Sequence, residues 1–116
     1  MKVGVIGLGS MGMGAALSLL RAGHEVTGCD MRQAARDEFA AAGGAVAAKA
    51  SDLPQGAEAL VVLVVNAAQT EAALFGADGA LPRLAPGAVI VSSATMGPDA
   101  ARALADQAAA RQFLFL

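Results

Sequence analysis

Along this chain, short β-branched runs alternate with longer Ala- and Leu-rich segments of helical period, the pattern that βαβ units produce. Lys2 to Ile6 reads as a first strand, Ser10 to Ala22 as a helix and Glu25 to Cys29 as a second strand. Gln33 to Ala42 reads as a helix ended by Gly43-Gly44, followed by a short strand over Ala45 to Ala47 and a turn with a helix opening at Ser51. Ala59 to Val65 is nearly continuous apolar sequence, as a central parallel strand buried on both faces requires. Gln69 to Phe75 begins another helix, Gly76 to Gly87 holds turns and a short helix, and Ala88 to Ser92 is a further strand. Pro98 suits a first helical position and Asp99 adds favourable charge there, so a last helix runs to Arg111 before a sixth strand over Phe113 to Leu116. The pattern predicts a Rossmann-type α/β fold, a doubly wound parallel sheet in a single domain.

Composition narrows the partners. The 116 residues can bury one continuous core and are too apolar for a disordered chain. A net charge of -2, with both signs spread along the sequence, leaves no basic stripe for nucleic acid. The apolar runs are strand-sized and well short of the roughly 20 residues that cross a bilayer, so no membrane span is expected. Met1 to Ile6 leads into a glycine turn instead of a secretory h-region, which places the protein in the cytoplasm. Cys29 stands alone, which excludes an internal disulfide or a Cys-based metal framework, and no His or carboxylate cluster suggests a metal.

The strongest chemical signal is Gly7-Leu8-Gly9-Ser10-Met11-Gly12, a G-x-G-x-x-G placed where the first strand must turn into the first helix. Gly7 permits the tight turn, Gly9 lets the backbone approach a pyrophosphate, and Gly12 lets the helix pack on the strand without a Cβ between them. The helix N-terminus offers N–H donors and partial positive charge to the anion. A Gly- and Ala-rich chain can produce such a triplet by accident, but the strand-turn-helix context argues for the dinucleotide. Gly23 is placed to cap the far end of that helix.

Asp30 closes the second strand 18 residues after Gly12, where a carboxylate accepts hydrogen bonds from the ribose hydroxyls and repels a 2′-phosphate. The alternative is an ordinary solvent-facing turn residue. Met31 and Arg32 follow in the same turn, and the Arg32 guanidinium can either stack on adenine or neutralise a 2′-phosphate. NAD is the expected cofactor.

Val3 to Gly14, V-G-V-I-G-L-G-S-M-G-M-G, resembles the β-hydroxyacid dehydrogenase family, with Val64-Val65-Asn66-Ala67-Ala68-Gln69 and Ser92-Ser93-Ala94-Thr95-Met96-Gly97-Pro98 where that family places two later cofactor loops. The V-N-A-A-Q and S-A-T segments look most like a branch that oxidises the C2 hydroxyl of a four-carbon sugar acid with NAD. The broader family more often carries Leu-Pro at Val65-Asn66 and Ser-Thr at Ala94-Thr95. By resemblance, Leu8, Ser10 and Met11 line the pyrophosphate turn, Val65 and Asn66 flank a ribose, and Thr95 sits near the nicotinamide. Asn66 could instead be a helix cap, and Thr95 a hydroxyl satisfying local backbone.

The resemblance also implies a D-A-P-V-S-G-G substrate loop after the sixth strand, a later catalytic lysine and a helical dimerisation domain, none of which occurs here. The chain therefore reads as the cofactor domain of a longer enzyme acting on a small hydroxy acid. No catalytic residue is expected within it. Self-association is expected, because the apolar Phe113 to Leu116 strand would lack its usual cover. Related readings are a tartronate semialdehyde reductase, an imine reductase or a stand-alone nucleotide-binding module. His24 is expected exposed in a turn remote from the strand C-termini, Cys29 in the core, and Met13 as filler.

Overall fold

A computed structural model describes residues 1–93 and 96–115. Six parallel strands form one sheet in the order β3-β2-β1-β4-β5-β6: β1 Lys2–Ile6, β2 Glu25–Cys29, β3 Ala45–Ala47, β4 Ala57–Val62, β5 Leu84–Ser92 and β6 Leu114–Phe115. Four helices connect them: α1 Ser10–Arg21, α2 Gln33–Ala41, α3 Ala67–Phe75 and α4 Pro98–Ala110. The expected doubly wound α/β sheet is what forms.

Strand alternation decides which residues face which helices. Val3, Val5 and Val26 join Leu8, Met13 and Phe39 in a cluster beneath α1 and α2. Ile6, Cys29, Leu60, Val62 and Ile90 join Leu74 and Ala108 in a cluster beneath α3 and α4. Both faces of β1 and β4 are thus covered, which is why these strands are written in Val, Ile and Leu with almost no polar positions.

Several boundaries differ from expectation, each for a local reason. The chain turns at Gly56 (φ +95°) and enters β4 at Ala57, two residues early, while Leu63 to Val65 leave the sheet after the Leu63 N–H bonds Ile6 O at 2.8 Å. Helix α3 begins at Ala67 because Asn66 caps it. No helix follows Ser51, where Ala50–Asp52 is a single 3-10 turn. β5 reaches back to Leu84 through Pro86 and Gly87, tolerated because its pairing with β4 is irregular between Ala57 and Ala59.

The exits of α1, α2 and α4 share one device. At the end of α1, Gly23 N–H bonds Leu20 O and His24 N–H bonds Leu19 O, and α2 repeats this with Gly43, Gly44 and the carbonyls of Ala40 and Phe39. At the end of α4 the same left-handed position is held by Gln112, at φ +66°, with Phe113 N–H bonding Ala108 O. The chain reverses there into β6.

Candidate functional site

The order β3-β2-β1-β4-β5-β6 means that the chain leaves β1 in one direction and returns to β4 on its other side. Loops from β1 and β4 therefore diverge above the strand C-termini, opening a crevice where α/β sheets take ligands. The turn at residues 7–12 and the segment at residues 63–66 form its two lips.

The three glycines of the first lip have different reasons to be glycine. Gly7 has φ +96°, and a Cβ there would strike the Leu63 carbonyl oxygen on the neighbouring connection. A Cβ on Gly12 would strike the Gly7 carbonyl, so α1 can begin this close to β1 only without a side chain. Gly9 is the opposite case: its φ is -68°, and a Cβ would meet no atom within 4 Å. It is an exposed N-cap whose helix end has no side-chain cap and no acid in its first turn. The first-turn N–H groups and the positive end of the helix dipole thus face an open cradle suited to an anion. Ser10 and Met11 are exposed along this turn, Met11 at 70%, with the Ser93 hydroxyl 4.0 Å from the Met11 sulfur. Leu8 lines the turn by its backbone alone, since its side chain is buried against Gly28 and Phe39.

Asp30 is joined directly to this turn. Its Oδ2 accepts the Leu8 N–H at 2.9 Å and its Oδ1 accepts the Arg32 N–H at 2.9 Å. The Arg32 guanidinium forks onto the same carboxylate, Nε to Oδ1 at 3.0 Å and Nη2 to Oδ2 at 2.9 Å. That fork is the main reason the carboxyl is held well below the usual carboxylate range, with the backbone N–H groups of Arg32 and Leu8 adding to it against a partial burial cost. Arg32 is itself shifted upward by the same bond.

Sequence reasoning missed Arg36, whose Nη1 donates to the carbonyls of Asp30 and Met31 at 2.8 Å each and so fixes the β2–α2 turn. Its signal was a basic residue in the first turn of a helix, where a dipole argument alone would place an acid. Met31 is 85% exposed above this turn. A cavity of about 350 Å³ runs between the two helix starts, lined by Gly9, Ser10 and Met13 on one side and Arg32, Ala35 and Glu38 on the other.

On the second lip, Val65 is 74% exposed and Asn66 is exposed beside it. Asn66 Oδ1 accepts the Gln69 N–H at 2.9 Å while Gln69 Oε1 accepts the Val65 N–H at 2.8 Å, a reciprocal cap written in the sequence as N-x-x-Q. Asn66 is therefore a cap in place beside the crevice. Thr95 lies outside the described residues. His24 is half-buried, not exposed, at the start of β2 and thus at the end of the sheet opposite the glycine turn. Cys29 is buried, and burial first, then the neighbouring Asp30 charge, pushes its thiol up to about 11, which removes it as a nucleophile. Among the described residues no group of three or more His, Cys, Asp or Glu could hold a metal ion, and no helix is long and apolar enough to cross a membrane.

Residues 2–116 match the family model of the NAD-binding domain of 6-phosphogluconate dehydrogenase. The chain belongs to that family of NAD-binding domains. It is 47% identical over 115 residues to an L-threonate dehydrogenase of Cupriavidus necator, covering 99% of this chain and 39% of that protein. A crystal structure of a 3-hydroxyisobutyrate dehydrogenase from Salmonella typhimurium superposes with a TM-score of 0.93 at 40% identity, over 99% of this chain and 40% of that one. A Streptomyces aurantiacus imine reductase superposes with a TM-score of 0.83 at 29% identity, covering 99% of this chain and 39% of the reductase. The chain thus spans about two fifths of the relatives it matches. The family resemblance read from the sequence is upheld, and an L-threonate dehydrogenase is among the relatives that the chain matches over nearly its whole length.

Proposed function

We propose that this domain binds NAD across the β1/β4 crevice, as the cofactor half of an enzyme that oxidises a small hydroxy acid at C2, with L-threonate as the substrate. The observation that carries the reading is Gly9, an open position between two glycines that packing explains. A side chain at Gly9 would fill only the space where a pyrophosphate would lie against the α1 N-terminus. Asp30 is the acceptor for the adenosine ribose, Met31 and Arg32 border the adenine, and Val65 and Asn66 flank a ribose. NAD supplies the hydride acceptor. The chain's own part is to bind and orient that acceptor, through the N–H groups at residues 10–12 and the Asp30 carboxylate.

The substrate rests on the L-threonate dehydrogenase relative, and catalysis on the part of the relatives without a counterpart in this sequence. An imine reductase is the second reading, favoured only by the TM-score of 0.83 at 29% identity. Titrating the 116-residue chain with NADH and NADPH by fluorescence tests the reading: NADH binds more tightly, and L-threonate is not turned over by this chain alone. Absence of NADH binding, or clearly tighter NADPH binding, would overturn the assignment.

A further inference from the structure

Sulfur is gathered at one end of the molecule. Of the five methionines, Met11 and Met13 follow β1, Met31 follows β2 and Met96 follows β5, while Met1 stands at the opposite end, before β1. Met13 is 8% exposed, whereas Met11 is 70% and Met31 85% exposed. A thioether in a core is shielded, but an exposed one is open to oxidants such as peroxide.

Met11 differs from the others in what it faces. It lies in the first turn of α1, and its sulfur stands 4.0 Å from the hydroxyl oxygen of Ser93, the residue after β5. Because β4 lies between β1 and β5 in the sheet, this contact passes over the end of β4 and the crevice beside it. A thioether sulfur is a weak acceptor, so the reduced pair parts easily. Oxidation changes that. The sulfur lone pair attacks a peroxide oxygen, the S–O bond forms as the O–O bond breaks, and the departing hydroxide takes the transferred oxygen's proton to leave as water. Sulfur is oxidised by two electrons and the peroxide is reduced. The sulfoxide oxygen is a polar acceptor that reaches one bond further toward Ser93.

Resting on the cofactor reading above, we propose that Met11 is an oxidation site that latches the crevice: its sulfoxide accepts the Ser93 hydroxyl and ties the start of α1 to the end of β5. Binding of a dinucleotide then has to break that hydrogen bond, which weakens it about fivefold. Met31 lies on the far side of the glycine turn and has no such contact across β4.

The test treats the wild type, Met11→Leu and Ser93→Ala with dilute hydrogen peroxide, locates the added oxygen by fragment-ion mass spectrometry, and compares NADH affinity in each protein with its own untreated form. Met11 is oxidised before Met13, and wild-type affinity falls about fivefold and returns after treatment with methionine sulfoxide reductase. Met11→Leu shows no such fall although Met1 and Met31 are oxidised, and Ser93→Ala loses most of it with Met11 oxidised.

Unaltered affinity in wild type carrying the Met11 sulfoxide would overturn the proposal. So would an equal fall in Met11→Leu or Ser93→Ala, or a loss of affinity matched by a lower melting temperature, which would mean that oxidation acts by unfolding. Failure of the untreated wild type to bind NADH would instead overturn the cofactor reading on which the proposal stands.

Discussion

Gly9 and Gly12 lie three residues apart in one turn, and replacing each by alanine separates packing from binding. A Cβ at Gly12 collides with the Gly7 carbonyl oxygen and carbon, backbone atoms that cannot rotate aside as a flexible side chain would. The start of α1 has to lift from β1. Overpacking of a dense core costs about 1–3 kcal/mol, and with backbone on both sides the upper end applies, so Gly12→Ala is expected to lose about 3 kcal/mol. For a domain of this size that is a fall in melting temperature of roughly 12 °C. A Cβ at Gly9 meets nothing within 4 Å and its backbone is extended, so Gly9→Ala should stay within about 0.5 kcal/mol of wild type. Its methyl group nevertheless stands in the anion cradle and should raise the dissociation constant for NADH at least about tenfold. Urea unfolding gives the stabilities, and NADH fluorescence gives the affinity. Equal destabilisation by the two variants, or wild-type NADH affinity in folded Gly9→Ala, would refute the division of roles between the glycines.

Asn66→Ala removes the acceptor for the Gln69 N–H at the start of α3 and should cost about 1 kcal/mol in urea unfolding. Gln112→Gly relieves a non-glycine residue at φ +66° and should gain about 0.5–1 kcal/mol, read in the same assay; a loss would mean the Gln112 side chain matters more than its backbone. The Cys29 thiol is raised from 9.0 to about 11, so the native state holds a proton that the unfolded chain releases. Its contribution is complete below pH 9 and lost as pH rises toward 11, an alkaline decline of about 2–3 kcal/mol that Cys29→Ala should flatten. Asp30 has the opposite sign. Its lowered carboxyl contributes stability above its ordinary value of 3.8 that is lost progressively as pH falls below it, and acid unfolding of Asp30→Asn should lack that component.

The sequence was most legible where one physical demand acted alone. β1 and β2 were read to the residue, because a short parallel strand buried along most of its length, entered from a helix-ending turn or left through a glycine turn, has few alternative descriptions. β4 and β5 were misplaced where demands conflicted. Glu58 breaks the apolar run but lies at the exposed start of β4, its Oε1 accepting the Lys2 N–H at 3.2 Å. Pro86 and Gly87 read as a turn yet sit inside β5 at an irregular pairing. The sequence pointed to Asp30 and Arg32 as candidates but not to their mutual engagement, and it did not point to Arg36. Asp30 and Arg32 are two residues apart in a turn, and no periodicity says whether such a pair forks together or points apart. The Asn66 cap was readable from Gln69 three positions later, and its signal was present beside a competing family pattern.

The bond from Leu8 N–H to Asp30 has a consequence for anyone redesigning this domain. Replacing Asp30 to change cofactor preference also removes the acceptor that ties the glycine loop to the end of β2. Alanine or glycine would leave the Leu8 amide to find water, and the loop would lose its brace. Asparagine keeps one oxygen for that amide while shedding the charge. Any redesign of this turn should therefore begin from Asp30→Asn, since this single change separates the charge of the position from its scaffolding role.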